Sequence, residues 1–168
     1  MLLRAVKPED LGAIASIYNE GIAGREATFE TELRSPTDFK GLTGREALPA
    51  LVAEVDGRVV GAAWTTPYSE RACYSGILEC SVYVEVASRG SGIGTDLCEE
   101  LATLADQGGF HKLLGKVFVS NEASRRLTRR CGFREVGLHL RHGRLDGEWR
   151  DVLVVERLLP HARATTGG

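Results

Sequence analysis

The segment Arg89–Thr95 reads Arg-Gly-Ser-Gly-Ile-Gly-Thr and lies between two apolar runs. The run before it, Leu78–Val86, has the composition of a strand, and the run after it, Ile93–Ala105, has helical spacing. A strand that turns through glycines into a helix leaves several backbone N–H groups without partners, and these groups attract anions. Arg89 adds a fixed positive charge with forked donors. The segment therefore predicts a phosphate or pyrophosphate site formed by Arg89, Gly90, Ser91, Gly92, Ile93, Gly94 and Thr95.

Two common phosphate loops do not fit this segment. A P-loop requires Lys followed by Ser or Thr after its last glycine, whereas Thr95-Asp96 follows here. A dinucleotide fold places its glycine turn after the first strand, whereas this turn lies in the middle of the chain. A third interpretation stays open, in which the glycines only permit a tight turn and close helix packing.

Several motifs around the loop extend this interpretation. The loop follows Ser81–Val84, and it precedes a second strand-to-helix step at Asn121–Ser124 and then Cys131–Arg134. This pattern resembles the GNAT family of acyl-CoA-dependent N-acetyltransferases over nearly the whole chain. Four further segments are similar to its phosphinothricin acetyltransferase branch, which acetylates small amino acids and their analogues: Ile17–Glu20, Ala27–Glu30, Glu79–Val84 and Gly147–Val152.

The resemblance implies acetyl-CoA as co-substrate and no metal. It implies that the strand before the loop splays from its neighbour, so that Val82, Tyr83 and Val84 can pair with pantetheine while the loop amides hold the pyrophosphate. Asn121 is expected to hydrogen-bond pantetheine, although it could equally be the N-cap of the helix that follows. Ser124 is included in the expected cofactor site.

Acetyl transfer needs a neutral amine, and an amino-acid ammonium with a pKa of about 8 is mostly protonated at neutral pH. Glu79 matches a glutamate of the resembling branch, so we predict that it holds the ammonium and accepts its proton. The alternative is a strand-edge Glu with a structural partner. Where the family often has Tyr, or the branch His, as general acid, this chain has Thr128. Direct expulsion of the thiolate, protonation by water, and Tyr83 or Ser124 as substitute acids are the alternatives.

The acceptor site is expected from the same resemblance. Its predicted residues are Thr28, Phe29, Arg71, Tyr74 and Trp149. Phe29 could equally pack in the core. The chain departs from the branch at Ser75, where an Arg is usual, and in the final hairpin, which lacks the His of phosphinothricin-specific members. These departures argue against phosphinothricin itself as the acceptor. The resemblance predicts direct acetyl transfer, in a ternary complex, to a small amino acid or analogue of the phosphinothricin or methionine sulfoximine type. A peptide N-terminus as acceptor, or acyl-CoA sensing without turnover, are the alternatives.

The order of the surrounding elements predicts a mixed sheet flanked by helices. The resemblance implies that this is the α/β (α+β mixed) GNAT fold, with a twisted, mostly antiparallel sheet of about seven strands. Predicted strands are Leu2–Val6, Ala50–Val55, Val59–Thr66, Leu78–Val86, Leu113–Ser120, Phe133–Arg141 and Val152–Leu159. Predicted helices start at Pro8 and at Ser35, the latter in a polar segment reaching Glu46, and cover Gly92–Gln107 and Glu122–Arg130. Asn19–Thr31 is predicted to be a loop, Asp56-Gly57 a tight turn, and Gly143–Asp151 a polar hairpin.

Composition favours a compact enzyme. The 168 residues include 21 basic and 23 acidic side chains, giving a net charge of −2, which offers no electrostatic footprint for nucleic acid. The four cysteines form no C-x-x-C pair and the four histidines show no ligand spacing, so neither a zinc site nor a disulfide is expected. The expected location is the reducing cytoplasm. No apolar run approaches membrane-spanning length. We expect one domain over residues 1–160, a loose tail over residues 161–168, and, from the resemblance, a possible homodimer.

Overall fold

The computed structural model describes residues 1–44 and 48–160. Its strands are β1 (Leu2–Ala5), β2 (Ala50–Val55), β3 (Arg58–Pro67), β4 (Ile77–Val84), β5 (Lys112–Phe118), β6 (Arg134–Leu145) and β7 (Glu148–Leu158). Its α-helices are α1 (Leu11–Gly24), α2 (Ile93–Gln107) and α3 (Glu122–Arg130), with short 3₁₀ helices at Pro8–Asp10, Pro36–Leu42, Ala72–Tyr74 and Val86–Ser88. The predicted continuation to Glu46 and the predicted tail from His161 lie outside the described residues.

All seven strands form a single sheet in the order β1-β2-β3-β4-β5-β7-β6. The pair β4–β5 is parallel, and the other neighbouring pairs are antiparallel. Helix α1 packs on one face with Val52, Ala62 and Trp64, whereas α2 covers the other through apolar positions that include Leu97 and Leu101. The predicted seven-stranded mixed sheet between helices is confirmed. Within the described ranges, no helix combines the length and the apolar character needed to cross a lipid bilayer.

Strands β4 and β5 separate early. They pair only from Ile77 to Glu79 on β4, against Lys112 to Leu114 on β5, whereas β4 stays paired with β3 as far as Val84. The remainder of β4 therefore has an open side toward β5. This fork confirms the predicted splay of the strand that precedes the glycine loop.

The predicted Gly143–Asp151 hairpin is confirmed, but the predicted strands on either side of it, which end at Arg141 and resume at Val152, are too short. Strands β6 and β7 continue through most of it and are joined only by Asp146-Gly147. Both residues have positive φ (51° and 83°), as do Asp56 and Gly57 (51° and 77°) in the β2–β3 turn. Positive φ at both central positions is the requirement of a type I′ turn, which matches the twist of the strands it joins. Polar side chains on an edge hairpin concealed the continuing strands.

The predicted loop Asn19–Thr31 is wrong in its first part, because α1 continues to Gly24. Apolar positions continue at helical spacing to Ile22, which is buried. Gly21 lies inside the helix, and a Cβ at this position would come 2.9 Å from Cε1 of Tyr83. The glycine thus allows close packing of helix on sheet and does not end the helix. Arg25, with φ of 56°, caps the C-terminus.

Candidate active site

Two cavities meet at the fork between β4 and β5. A large cavity of about 810 Å³ lies on the α1 face of the sheet, and a small cleft of about 100 Å³ opens between the strands and reaches α3. Both are bordered by Ala27, Cys80, Ser81, Tyr83 and Lys116. Two ligands bound in these spaces would therefore meet at the fork.

Strand β4 directs backbone groups that do not pair with β3 toward the small cleft. Glu85 N–H donates to Val60 O (2.9 Å), which fixes the alternation of hydrogen bonds along β3 and β4. By that alternation, Tyr83 pairs its backbone with β3, whereas Val82 and Val84 direct theirs toward the diverging β5. This is the geometry that a ligand with amide groups needs in order to extend the sheet.

The glycine loop has the conformation of an anion cradle. Gly90 and Gly92 have φ of 81° and 91°, and a Cβ on either would meet open space. Gly94 differs, since a Cβ there would lie 3.5 Å from the Leu127 side chain, so this glycine serves packing against α3. In the described part of the chain we find no protein acceptor for the backbone N–H groups of Gly90 to Gly94. Five neighbouring donors at a helix N-terminus fit a phosphate group.

One amide assigned to this cradle is engaged elsewhere. Thr95 N–H donates to Gly92 O (2.9 Å) as the first turn of α2 forms. The donors available to an anion therefore end at Gly94, one residue earlier than the sequence predicts. Ile93 is buried beneath the loop, and the Ser91 hydroxyl donates to Ser88 O (2.6 Å), which stabilises the turn.

The turn that leads into the loop is held by a buried carboxylate. Glu85 accepts two hydrogen bonds from Arg58 (2.7 and 2.8 Å) and one from the Ser88 hydroxyl (2.6 Å). These bonds, the Arg58 guanidinium first, hold the pKa of Glu85 below its usual range. Arg89 Nε donates to Val84 O (3.2 Å), so its side chain lies back along the end of β4. Sequence reasoning missed Glu85, although an acid directly after an apolar strand was a visible signal.

Glu79 lies at the fork on the floor of the large cavity. Its backbone is the last on β4 to pair with β5, and its side chain is 30% exposed. Lys116 Nζ lies 3.1 Å from Glu79 Oε2, because both residues belong to the face of the sheet that lines the cavity. Lys116 was not predicted. Its signal was a charge inside the otherwise apolar run Leu113–Val119.

Aromatic rings form one wall of the large cavity. Tyr83 stacks on Trp64 with ring centroids 5.4 Å apart, Tyr18 packs edge-on against Tyr83, and Phe39 packs edge-on against Trp64. Burial raises the pKa of the Tyr83 phenol above its usual range. Because such a phenol releases its proton less readily, the structure disfavours Tyr83 as the substitute general acid.

Cys80 borders both cavities and is a potential nucleophile. Burial raises the pKa of its thiol to about 12, so the thiol is neutral at physiological pH. Since the thiolate is the reactive form, this disfavours a covalent acyl-cysteine step. All four cysteines are free. In residues 1–44 and 48–160, no three His, Cys, Asp or Glu side chains converge as metal ligands would.

Helix α3 borders the small cleft through Ser124 and Thr128. Asn121 Oδ1 accepts from Ser124 N–H (3.0 Å), which makes Asn121 the N-cap, as one of the two interpretations predicted. Its Nδ2 donates to Glu26 O (2.9 Å) and so ties the helix to the segment after α1. One N–H of Nδ2 and one lone pair of Oδ1 remain for a pantetheine contact. The Thr128 hydroxyl donates to Arg125 O (3.0 Å).

Only two of the predicted acceptor residues line the large cavity, Thr28 and Phe29. The Thr28 hydroxyl lies 3.2 Å from that of Tyr18. Phe29 packs edge-on against Phe118, and a Cβ on Gly143 would come 2.7 Å from its ring. Its core-packing role and its cavity-lining role are therefore compatible.

The other three predicted acceptor residues lie outside both cavities. Tyr74 is 37% exposed and carries the Arg71 guanidinium 5.5 Å from its ring centroid. Trp149 is 50% exposed, with the Arg144 guanidinium 4.5 Å from its ring centroid. Motif similarity could not show where these long side chains point.

Comparison with known proteins agrees with this architecture. Residues 14–133 match the acetyltransferase (GNAT) family model. The chain is 34% identical to phosphinothricin N-acetyltransferase of Alcaligenes faecalis over 94% of this chain and 82% of the relative. It superimposes with a TM-score of 0.90 on ribosomal-protein-alanine N-acetyltransferase of Brucella melitensis, at 33% identity, covering 95% of this chain and 100% of that one.

A second solved structure matches equally well in shape. It is a phosphinothricin acetyltransferase of Sinorhizobium meliloti in complex with AcCoA, with a TM-score of 0.90 at 30% identity, covering 97% of this chain and 90% of that one. The family match covers more than half of the chain, and the similarity to the relatives extends over nearly all of it. The chain therefore belongs to the GNAT family of acetyltransferases.

Proposed function

We propose that this protein transfers the acetyl group of acetyl-CoA to the amino group of a small amino acid or analogue, of the phosphinothricin or methionine sulfoximine type, directly in a ternary complex. Residues 1–160 act as a single domain in this proposal. It is supported by the two cavities that meet at the fork, one for each substrate, and by the neutral thiol of Cys80 between them.

The residues at the fork fit acetyl-CoA, which supplies the activated thioester. The N–H groups of Gly90 to Gly94 would hold its pyrophosphate, and Arg89 would add positive charge. The backbone of Val82 and Val84 would pair with pantetheine along the open side of β4. Ser124 borders the same cleft.

The observation that carries the proposal is the position of Glu79. Its carboxylate lies on the floor of the large cavity, where the β4–β5 pairing ends and the small cleft begins. Oε2 accepts from Lys116, whereas Oε1 has no partner among the described residues. An ammonium in the cavity would find a negative acceptor for its proton beside the place where a thioester in the cleft must lie.

We expect Glu79→Gln to lower turnover by about 10² to 10⁴-fold, because the carboxamide cannot accept the proton. The acetyl-CoA dissociation constant, measured by calorimetry, should stay within about threefold, since the phosphate cradle is untouched. Glu9→Gln, at an exposed acid beside the first helix, is the matched control and should leave both quantities unchanged. Wild-type turnover in Glu79→Gln would remove Glu79 from the mechanism.

A peptide N-terminus is the second candidate acceptor, and the similarity to the Brucella melitensis enzyme favours it. The segment from Ala27 to Glu30 lines the large cavity and is fixed by Phe29 on Phe118 and by Asn121 on Glu26. A fixed wall at this place limits the room for a polypeptide. This favours the small acceptor.

We also propose that the enzyme is a cytoplasmic homodimer. The free cysteines are in keeping with a reducing compartment. Strand β6, at the edge of the sheet, exposes the aliphatic side chains of Val136, Leu138 and Leu140, which are 46%, 50% and 70% accessible. Such a row on an edge strand is suited to contact with a second copy. Light scattering at micromolar concentration tests the proposed dimer by measuring the molar mass in solution.

A further inference from the structure

Lys116 lies where its side chain can contact a bound acceptor. It lies two residues beyond the end of the β4–β5 pairing, on the face of the sheet that lines the large cavity, and it borders the small cleft as well. Its side chain is 49% exposed, so its ammonium can be reached by a ligand. A lysine in such a position either forms only a structural ion pair or also binds a ligand.

The pair that Lys116 forms with Glu79 has spare bonding capacity. An ammonium carries three donors and a carboxylate accepts through two oxygens. Here one donor meets one oxygen at 3.1 Å, and the described residues offer neither group another partner. Two Lys116 N–H donors and Glu79 Oε1 therefore remain for a ligand.

The unpaired Lys116 N–H donors and Glu79 Oε1 are complementary in charge to the carboxylate and the ammonium of an α-amino acid. From standard bond lengths, the amino nitrogen and the carboxylate oxygens of an α-amino acid are roughly 3 Å apart, similar to the spacing of the protein pair. An amino acid whose ammonium faces Glu79 would thus place its α-carboxylate against Lys116. Such charge-assisted bonds are the strong ones.

The other cations around the cavity are less suited to this task. Among the described lining residues, Arg34 and His142 can also carry positive charge. Arg34 Nη2 lies 2.6 Å from Glu30 Oε2, and the hydrogen bond that Arg34 donates to Glu30 raises the pKa of Arg34. His142 stacks on His139 with centroids 4.3 Å apart. Arg71, the arginine expected at the acceptor, lies outside the cavity.

From this geometry we propose that Lys116 binds the α-carboxylate of the acceptor and thereby selects free amino acids over amides, esters and peptide N-termini. The inference rests on the proposed function and sharpens it, because it names the group that the acceptor must carry. A peptide N-terminus has an uncharged carbonyl at this position and would leave Lys116 without its second partner.

The test compares methionine sulfoximine with its α-carboxamide, which keeps the ammonium and loses the negative charge. Wild-type enzyme should bind the acid about 10- to 100-fold more tightly than the amide, measured by calorimetry on the CoA-bound protein and as KM in thiol release. Lys116→Met, which keeps the length of the side chain, should lose that factor for the acid and change the amide by less than about threefold. Lys116→Arg should restore most of the preference.

Each other outcome also decides the question. Equal losses for acid and amide in Lys116→Met would show that Lys116 acts only through Glu79, and would overturn the proposal. An unchanged preference would do the same. Wild-type enzyme that acetylates neither compound but acetylates an alanyl peptide would overturn the proposed small acceptor together with this inference. Thermal unfolding of each variant establishes that it is folded.

Discussion

At the scale of single residues, Gly92 gives the most specific test of the cradle. We expect Gly92→Val to raise the dissociation constant of CoA at least tenfold, because a branched side chain would fill the space before the N–H groups at the start of α2. The variant should also lose about 2 kcal/mol of stability, since its φ of 91° disfavours any side chain. Calorimetric titration with CoA measures the affinity.

The matched control is Gly57→Val in the distant β2–β3 turn. Gly57 has a similar φ of 77°, and a Cβ there also meets open space. Backbone strain is therefore present in both variants, and only the position relative to the cradle differs. Equal CoA affinity in the two folded variants would contradict the cradle assignment.

The sequence predicted where single groups lie better than which side chains meet. The roles of the cradle and of Glu79 stay predictions, but their places in the fold were predictable, the glycine turn from its residue types and Glu79 from the family resemblance. Lys116 was not, because its importance depends on β5 running parallel to β4, which joins residues 37 positions apart. Tyr74 and Trp149 were assigned to the acceptor site, yet neither residue lines the large cavity.

At the scale of elements, the contact of α1 with β4 shapes the large cavity. We expect Gly21→Ala to destabilise the protein by about 1–3 kcal/mol, because the new Cβ would come 2.9 Å from the Tyr83 ring. The helix itself would prefer alanine by about 1 kcal/mol, so a net loss isolates the clash. Guanidinium unfolding measures it.

Gly12→Ala in the same helix is the control. A Cβ at Gly12 meets nothing within 4 Å, so this change should leave stability equal or raise it by up to about 1 kcal/mol. If both substitutions stabilised the protein equally, the close approach of Gly21 to Tyr83 would be refuted.

Element boundaries were predictable where apolar periodicity and turn chemistry agreed. The strands β2 and β3 and their Asp-Gly turn, and the helices α2 and α3, lie within a few residues of the prediction. Predicted boundaries were wrong where a glycine or a polar run was taken as the end of an element although the helix or strand continues past it. Gly21 serves packing, and the polar β6–β7 hairpin is exposed at the edge of the sheet, so its pattern lacks apolar alternation.

At the scale of the whole molecule, ion pairs and burial predict how stability depends on pH. The pKa values of Asp10, Glu85 and Glu156 are lowered, chiefly by hydrogen bonds from Arg4, Arg58 and Lys112 respectively. Since the unfolded chain then binds more protons near pH 4, stability is present above about pH 5 and lost as the pH falls further. Burial raises the pKa values of Cys80 and Tyr83, so stability is also lost above roughly pH 9.

We therefore expect the unfolding free energy to be highest between about pH 5 and pH 8, in guanidinium titrations across the range. Asp10→Asn should cost about 2 kcal/mol at pH 7, because it removes the charge that Arg4 contacts at 2.7 and 2.9 Å. The same variant should lose less stability on acidification than the wild type does. An identical loss of unfolding free energy below about pH 5 in wild type and variant would contradict the role of the Arg4–Asp10 pair.

The central claim concerns the whole enzyme with both substrates: acetyl-CoA in the fork and a free amino acid in the cavity beside it. The most direct measurement is the release of CoA thiol from acetyl-CoA by wild-type protein, with amino acids, methionine sulfoximine, phosphinothricin and alanyl peptides supplied in turn. We predict saturable release with at least one small acceptor that carries a free α-carboxylate, and none with the peptides. Saturable binding of acetyl-CoA without release by any small acceptor would contradict the account.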